Sequence, residues 1–354
     1  MTTTPRSLVA PTSNPALQRA LHDKLQRRAA TCGSFGELEP LALRLGLIQH
    51  TLKPRLREPQ VLLFAGDHGL AVDGVATDAR GTAEWVQQVL QGQSPLAVFA
   101  RVQGLAVTVV DAGVAQTLPA HPALQVRKIA HGTRNARVQA AMSLAQAHAA
   151  IRAGMETAEA MAGNVALVAG LGAGASVSAA LILARLSEQP LRELLDAGAG
   201  MPQHALAQRL LVAQAAQARH RSVAEPVEVL AAFGGFEIAT MVGLLLAAAA
   251  KRHVLLVDGL AACAALRVAQ RIAPAVSDYC VFCRSHRGSN LDCALAIFGA
   301  GALLELGMDS LDGTGATLAW PLVRAAAALL TEVADGEEVG PSRPGGLATQ
   351  GLQG

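Results

Sequence analysis

Short apolar runs alternate with longer helical patterns along most of the chain. Val61–Phe64, Val107–Val110, Val165–Ala169, Val254–Val257 and Tyr279–Cys283 have strand length, and each ends in a polar or glycine-bearing turn. Helical periodicity fills the intervals Thr82–Val102, Ser143–Met161, Ser176–Leu186, Gln203–Ala218, Ile238–Ala250 and Ala261–Ile272. Apolar strands that alternate with helices predict an α/β fold, a parallel sheet flanked by helices on both faces. Ahead of the first strand, Asn14-Pro15 opens a helix with Leu17, Leu21 and Leu25 on one face, and a second helical stretch covers Leu41–His50. Met1–Ser13 reads as a disordered leader, and the Gly/Pro/Glu-rich stretch from Gly336 to Gly354 as a flexible tail.

Composition narrows the function. Of 354 residues, 51% are hydrophobic and only 3% aromatic, so the core is built from Ala, Leu and Val. A net charge of +2 without a basic stripe excludes nucleic acid as the main partner, because phosphate-backbone binding needs clustered Lys and Arg. Mean hydropathy is positive, yet the longest apolar run, Met241–Ala250, is about half the length a bilayer demands and ends at Lys251-Arg252. It reads as a buried helix, so no membrane partner is expected. The N-terminus has no apolar signal core, which makes the cytoplasm the expected compartment. Five cysteines, an odd number, do not suggest a disulfide framework. Cys280, Cys283, His286 and Cys293 superficially resemble a zinc set, but positions i and i+3 of a strand face opposite ways, so reduced, packed thiols are expected instead.

In an open parallel sheet ligands bind beyond the carboxyl ends of the strands. Asp67, His68, Asp111, Asp258, Ser285 and His286 all fall there. Gly170-Leu-Gly172-Ala-Gly174 followed by Ser176 opens a helix directly after a strand, the arrangement of a phosphate cradle. It is neither a Walker loop nor G-x-G-x-x-G, and no strand ending in an acid follows about 20 residues on, as a nicotinamide cofactor would require. Leu311–Ala316, Leu-Asp-Gly-Thr-Gly-Ala, places Asp312 beside a glycine turn ahead of the apolar helix Leu318–Val333. Such an aspartate is either a helix cap or a proton acceptor beside an anion site.

Eight segments, in order, resemble the nicotinate-nucleotide–dimethylbenzimidazole phosphoribosyltransferases of cobalamin synthesis. They are Gly33–Glu39, Phe64–Gly69 with Gly74-Val75, Val109–Val114, Gly132–Asn135 with Ala141-Met142, Gly234–Ala239, Asp258-Gly259, Ser285-His286 and Gly313–Ala316. The resemblance implies a Rossmann-like α/β catalytic domain over 56–317 and a small helical domain from 14–55 plus 318–335, assembled as a homodimer. It implies phosphoribosyl transfer from nicotinate mononucleotide to a benzimidazole-type base, without metal or other cofactor. A carboxylate ahead of the Gly-Thr-Gly turn is the general base of that reaction, which makes Asp312 the catalytic residue. Asp67, His68, Glu84, Gly172, Gly174, Ser176, Arg209, Asp258, Ser285, His286, Gly313, Thr314 and Gly315 become substrate-binding positions.

The sequence departs from the family pattern in several places. Asp312 replaces a glutamate and is one methylene shorter. In the loop Ala169–Val177, Gly170, Ala175 and Val177 stand for a glutamate, an asparagine and a threonine. Ala76–Ala79 replaces a Ser-x-Tyr-Pro segment, Glu84 a glutamine and Arg209 a lysine, while Gly288 and Asn290 follow Ser285-His286 where serine and glutamate are usual. A diverged paralogue that binds a nucleotide without this catalysis, or acts on another base, is the alternative.

Overall fold

The computed structural model describes residues 8–76, 80–198 and 200–334. In chain order the helices and strands are α1 (Pro15–Cys32), α2 (Leu38–Gln49), β1 (Gln60–Gly66), α3 (Thr82–Leu90), α4 (Pro95–Val102), β2 (Ala106–Gly113), β3 (Leu124–Val126), α5 (Leu144–Glu159), β4 (Val165–Leu171), α6 (Ala175–Leu186) and α7 (Leu191–Leu195). There follow α8 (Gln203–Arg219), α9 (Pro226–Phe233), α10 (Phe236–Ala250), β5 (Val254–Val257), α11 (Leu260–Ile272), β6 (Cys280–Phe282), β7 (Arg284–Ser285), α12 (Asn290–Ile297), β8 (Leu304–Glu305) and α13 (Thr314–Thr331). They form two compact units: residues 56–322 with the described residues before 13, and residues 13–55 with the described residues after 322.

The larger unit is the α/β body. Six strands lie parallel in the order β3-β2-β1-β4-β5-β6. The order reverses between β1 and β4, and that crevice is where an open parallel sheet accepts a ligand. Every residue of β4 is buried, as is all of β5, which explains their uninterrupted apolar sequences. Arg284 begins β7, which pairs with β8 in a separate two-stranded sheet. In the smaller unit α1 starts at Pro15, with the Asn14 side chain accepting from Leu17 N at 3.0 Å. There the Arg28 guanidinium donates to Leu329 O, and Leu21 packs beneath Gly46.

Several boundaries differ from the sequence expectations. The helix expected over Thr82–Val102 is two helices, because Gly92 takes a positive φ of 72° and Ser94-Pro95 caps a new start. Strand β3 has only three residues and leaves no periodicity to read. The last long helix begins at Thr314, four residues before the expected Leu318, so Thr314 and Gly315 are helical. The leader is not wholly disordered. Val9 is buried, Ala10 O accepts from the Tyr279 hydroxyl at 2.8 Å, and Thr12 N donates to Asp278. The remainder of the leader, residues 1–7, and the tail 336–354 lie outside the described residues.

Helix α10 is buried along nearly its whole length, which accounts for the uninterrupted apolar run Met241–Ala250 within it. No helix among the described residues is long and apolar enough to cross a membrane. Helices α5 and α10 approach backbone to backbone: a Cβ on Gly154 would overlap Thr240 O, and one on Gly243 would overlap Ile151 O. Alanine is favoured over glycine in a helix by about 1 kcal/mol. Here overpacking, which costs about 1–3 kcal/mol, opposes it against rigid backbone. Gly154→Ala is therefore expected to lower stability by about 1–2 kcal/mol, read from the urea midpoint, whereas helix propensity alone would raise it.

Candidate active site

The β1 and β4 ends meet at the reversal of strand order. A side chain on Gly172 would overlap Gly66 O, the last carbonyl of β1, so glycine is required for this contact. Gly174 precedes α6 with φ +86°. His68 sits directly behind this loop. Its backbone N–H donates to Ala173 O, and its Nδ1 and Nε2 lie 2.7 Å from Ser178 Oγ and Glu237 Oε1. Thr82 Oγ1 accepts the Ala173 N–H at 2.9 Å and donates to Asp67, whose other carboxylate oxygen accepts from Ala115 N. Asp67 and His68 thus hold the Leu171–Gly174 loop in place from behind and line neither of the cavities described next.

A cavity of about 460 Å³ opens beyond the strand ends, within the range of small-molecule sites. Its walls include Asp312, Arg284, Arg209, Ser176, His286 and Asp309. A smaller cavity of about 110 Å³ shares Ser176 and Arg209 with it and is lined by Gly172, Gly174 and Trp85. The Arg80 guanidinium lies 3.8 Å over the Trp85 ring. Ser176 stands in the first turn of α6, so the positive end of that helix meets both cavities, an environment suited to an anion. Arg209, on α8, is 5% exposed and donates from Nε to Val75 O. Burial lowers its pKa and Asp309 opposes that, but a guanidinium stays charged throughout.

The opposite wall is built around Asp258, at the end of β5. Its Oδ2 accepts from Gly313 N at 2.7 Å and Ala316 N at 3.1 Å, which caps α13. Its Oδ1 accepts from Arg284 Nε at 2.8 Å. Asp258 is 1% exposed and fully committed to these contacts. Gly315 has no side chain because Arg284 Cδ and Asp258 Oδ1 would lie 2.5 and 2.9 Å from its Cβ. Thr314 is wholly buried, and its hydroxyl has no partner among the described residues. Gly313, Thr314 and Gly315 therefore serve helix packing, and only Asp312 of this segment faces the cavity.

Asp312 accepts from Arg284 Nη2 at 2.8 Å and keeps its side chain 27% exposed. Desolvation pushes its pKa up to about 7. The Arg284 guanidinium opposes that rise, while Asp258 and Asp309 add to it. Such a carboxyl is poised to exchange a proton near neutrality. Glu84 is exposed on α3 outside both cavity linings, and Ser285 Oγ donates to Asp292 instead.

The departures in the β4 loop have a packing cause. A Cβ on Gly170 would come within 2.7 Å of Ala261 Cβ and 2.9 Å of Met241 Cε, so α10 and α11 fill the volume a glutamate would need. Ala175 and Val177 are buried. Cys280 and Cys283 are also buried, and no group of His, Cys, Asp and Glu among the described residues could hold a metal ion. Residues 77–79 of the segment after Gly74-Val75 lie outside the described residues.

Sequence reasoning missed Arg284 and Asp309. A cation directly after the apolar run Tyr279–Cys283 was the available signal for the first. The second had only its spacing three residues before Asp312.

A family model described as Phosphoribosyltransferase matches residues 10–340. The chain is 47% identical over 326 residues to a nicotinate-nucleotide–dimethylbenzimidazole phosphoribosyltransferase of Cupriavidus taiwanensis, covering 90% of this chain and 92% of that one. A relative of the same name in Dechloromonas aromatica is 41% identical over 333 residues, covering 92% and 96%. The fold is similar to the crystal structure of the enzyme of that name from Thermus thermophilus, with a TM-score of 0.85 and 31% identity over 94% of this chain and 100% of that one.

Removing one partner of a buried ion pair costs about 3–5 kcal/mol, since the other charge is left uncompensated. Asp258→Ala is expected to fall in that range by chemical denaturation, with the start of α13 losing amide protection first in hydrogen exchange.

Proposed function

Since the chain belongs to the Phosphoribosyltransferase family, we propose that it transfers phosphoribose from nicotinate mononucleotide to dimethylbenzimidazole. The products are α-ribazole 5′-phosphate and nicotinate, a step in building the nucleotide loop of cobalamin. The single observation that carries this reading is Asp312, a carboxyl of near-neutral pKa on the wall of a cavity that also holds Arg209 and Ser176. Extensive identity with transferases of that name favours catalysis over a nucleotide-binding paralogue.

One benzimidazole nitrogen attacks the anomeric carbon from the face opposite nicotinate, forming the new C–N bond as the old one breaks. The electron pair of the broken bond returns to the pyridinium nitrogen, so nicotinate leaves without needing an acid. Attack turns the benzimidazole cationic and its remaining N–H acidic, and the Asp312 carboxylate takes that proton. Inversion gives the α-linkage. Arg209 and the first turn of α6 hold the 5′-phosphate by charge-assisted hydrogen bonds. Gly172 and Gly174 let the backbone come close to it, and His286 borders the same space. No metal or other cofactor enters this scheme. The resemblance further supports a homodimer working in the cytoplasm.

Incubation with both substrates, followed by chromatography, should show nicotinate and α-ribazole phosphate forming together. Absence of both would sink the assignment. Asp312→Asn should lower kcat by at least about 100-fold while nucleotide binding persists. In the wild type, kcat should fall as pH drops through about 7, because the base becomes protonated. Arg209→Ala should raise the KM for nicotinate mononucleotide about 10- to 100-fold, matching loss of one charged hydrogen bond. An unchanged KM would remove Arg209 from the phosphate site.

A further inference from the structure

We propose that Arg284 is the positioning residue for Asp312, fixing the shortened carboxylate in one orientation on the cavity wall. The inference rests on the reading of Asp312 as general base. Arg284 is 8% exposed and makes four hydrogen bonds. Nε donates to Asp258 Oδ1 at 2.8 Å, Nη1 to Met308 O at 2.9 Å, and Nη2 to both Ser310 O at 3.1 Å and Asp312 Oδ1 at 2.8 Å. Three of these bonds do not involve Asp312, so the guanidinium is anchored whether or not the carboxylate is charged. Two of them draw the Met308–Ser310 segment, which leads directly into Asp312, onto the end of β5. One planar group thereby sets both the backbone that carries the base and the direction of its carboxylate.

An aspartate has less reach than the glutamate usual at this position, and a misplacement of about 1 Å can cost about 100-fold in rate. Gly259 adds a second constraint. It has φ +97°, and a side chain there would overlap the Asp312 carboxyl, so Asp312 packs directly on its backbone. The charged and titratable groups that face Asp312 are Arg284 from β7, Asp258 from the end of β5, Asp309 from its own loop and Cys263 from α11. Among the described residues, Arg284 is the cation that bonds the Asp312 carboxylate. Lysine cannot replace it, because a point charge with three donors does not span Asp258, two carbonyls and Asp312 in a fixed plane.

The experiment compares wild type with Arg284→Lys and Arg284→Gln. Arg284→Lys retains the charge opposite Asp258 and should keep the fold. Its kcat should fall about 10-fold or more, while the KM for nicotinate mononucleotide stays within about 2-fold, since only the transition-state contact is disturbed. In Arg284→Gln the midpoint of the Asp312 side-chain carboxyl titration should move upward. It would be read by carbon NMR and assigned by the loss of that resonance in Asp312→Asn. Wild-type kcat in Arg284→Lys overturns the proposal. So does an unmoved midpoint in Arg284→Gln, or a parallel loss of kcat, nucleotide affinity and thermal stability in both variants. If Arg284→Gln does not fold, Arg284→Lys decides. If wild type forms no product from these substrates, the functional reading has failed, and the Asp312 titration in wild type, Arg284→Lys and Arg284→Gln decides the positioning role on its own.

Discussion

The buried pairing of Asp258 with Arg284 is the constraint on which one wall of the cavity depends. A carboxylate at the end of a buried strand is costly to desolvate, and it stays there because every oxygen has a donor. Two of those donors are backbone N–H groups at the start of α13, and the third is a guanidinium that in turn holds the loop before that helix. The strand end, the helix start and the loop that carries Asp312 therefore share one polar cluster. Gly315 is a consequence, since the arginine stem and the aspartate fill the volume its side chain would occupy.

The other wall depends on close backbone approach. Gly172 touches the last carbonyl of β1, and the His68 ring, bonded to Ser178 and Glu237, backs the loop that follows β4. This network uses polar side chains to fix the shape of a loop whose own residues are too small to fix it. The price is an unpartnered Glu237 Oε2 among the described residues, buried beside the glycines Gly66 and Gly235. The loop itself presents backbone N–H groups and a helix terminus rather than polar side chains, since it carries no polar residue before Ser176.

Between the walls, Asp312 is pulled two ways. Desolvation and two neighbouring carboxylates favour its neutral form, while Arg284 favours the charged one. Neither influence prevails fully, and the carboxyl comes to rest near neutral pH. A fully exposed aspartate would be too weak a base, and a fully paired one weaker still. Partial exposure leaves the group accessible from the cavity.

The sequence by itself determined the alternation of strands and helices, the parallel sheet and the strand ends at which chemistry gathers. These follow from interactions within a few residues: periodicity, the Asn14-Pro15 helix start and the glycine turns. It also pointed to Asp312 and to the glycines after β4. Tertiary structure alone decided which strand-end residues face the cavity. The family resemblance placed Asp258 among the substrate-binding positions, yet it is committed to capping α13, which begins only at Thr314. Asp67 and His68 lie behind the loop they hold, Glu84 points to solvent, and Arg284 lies within the cavity wall. Those outcomes depend on strand order and on how helices stack across the sheet. Both bring together residues far apart in the chain, and no local pattern records which of two like charges will find the nearer partner.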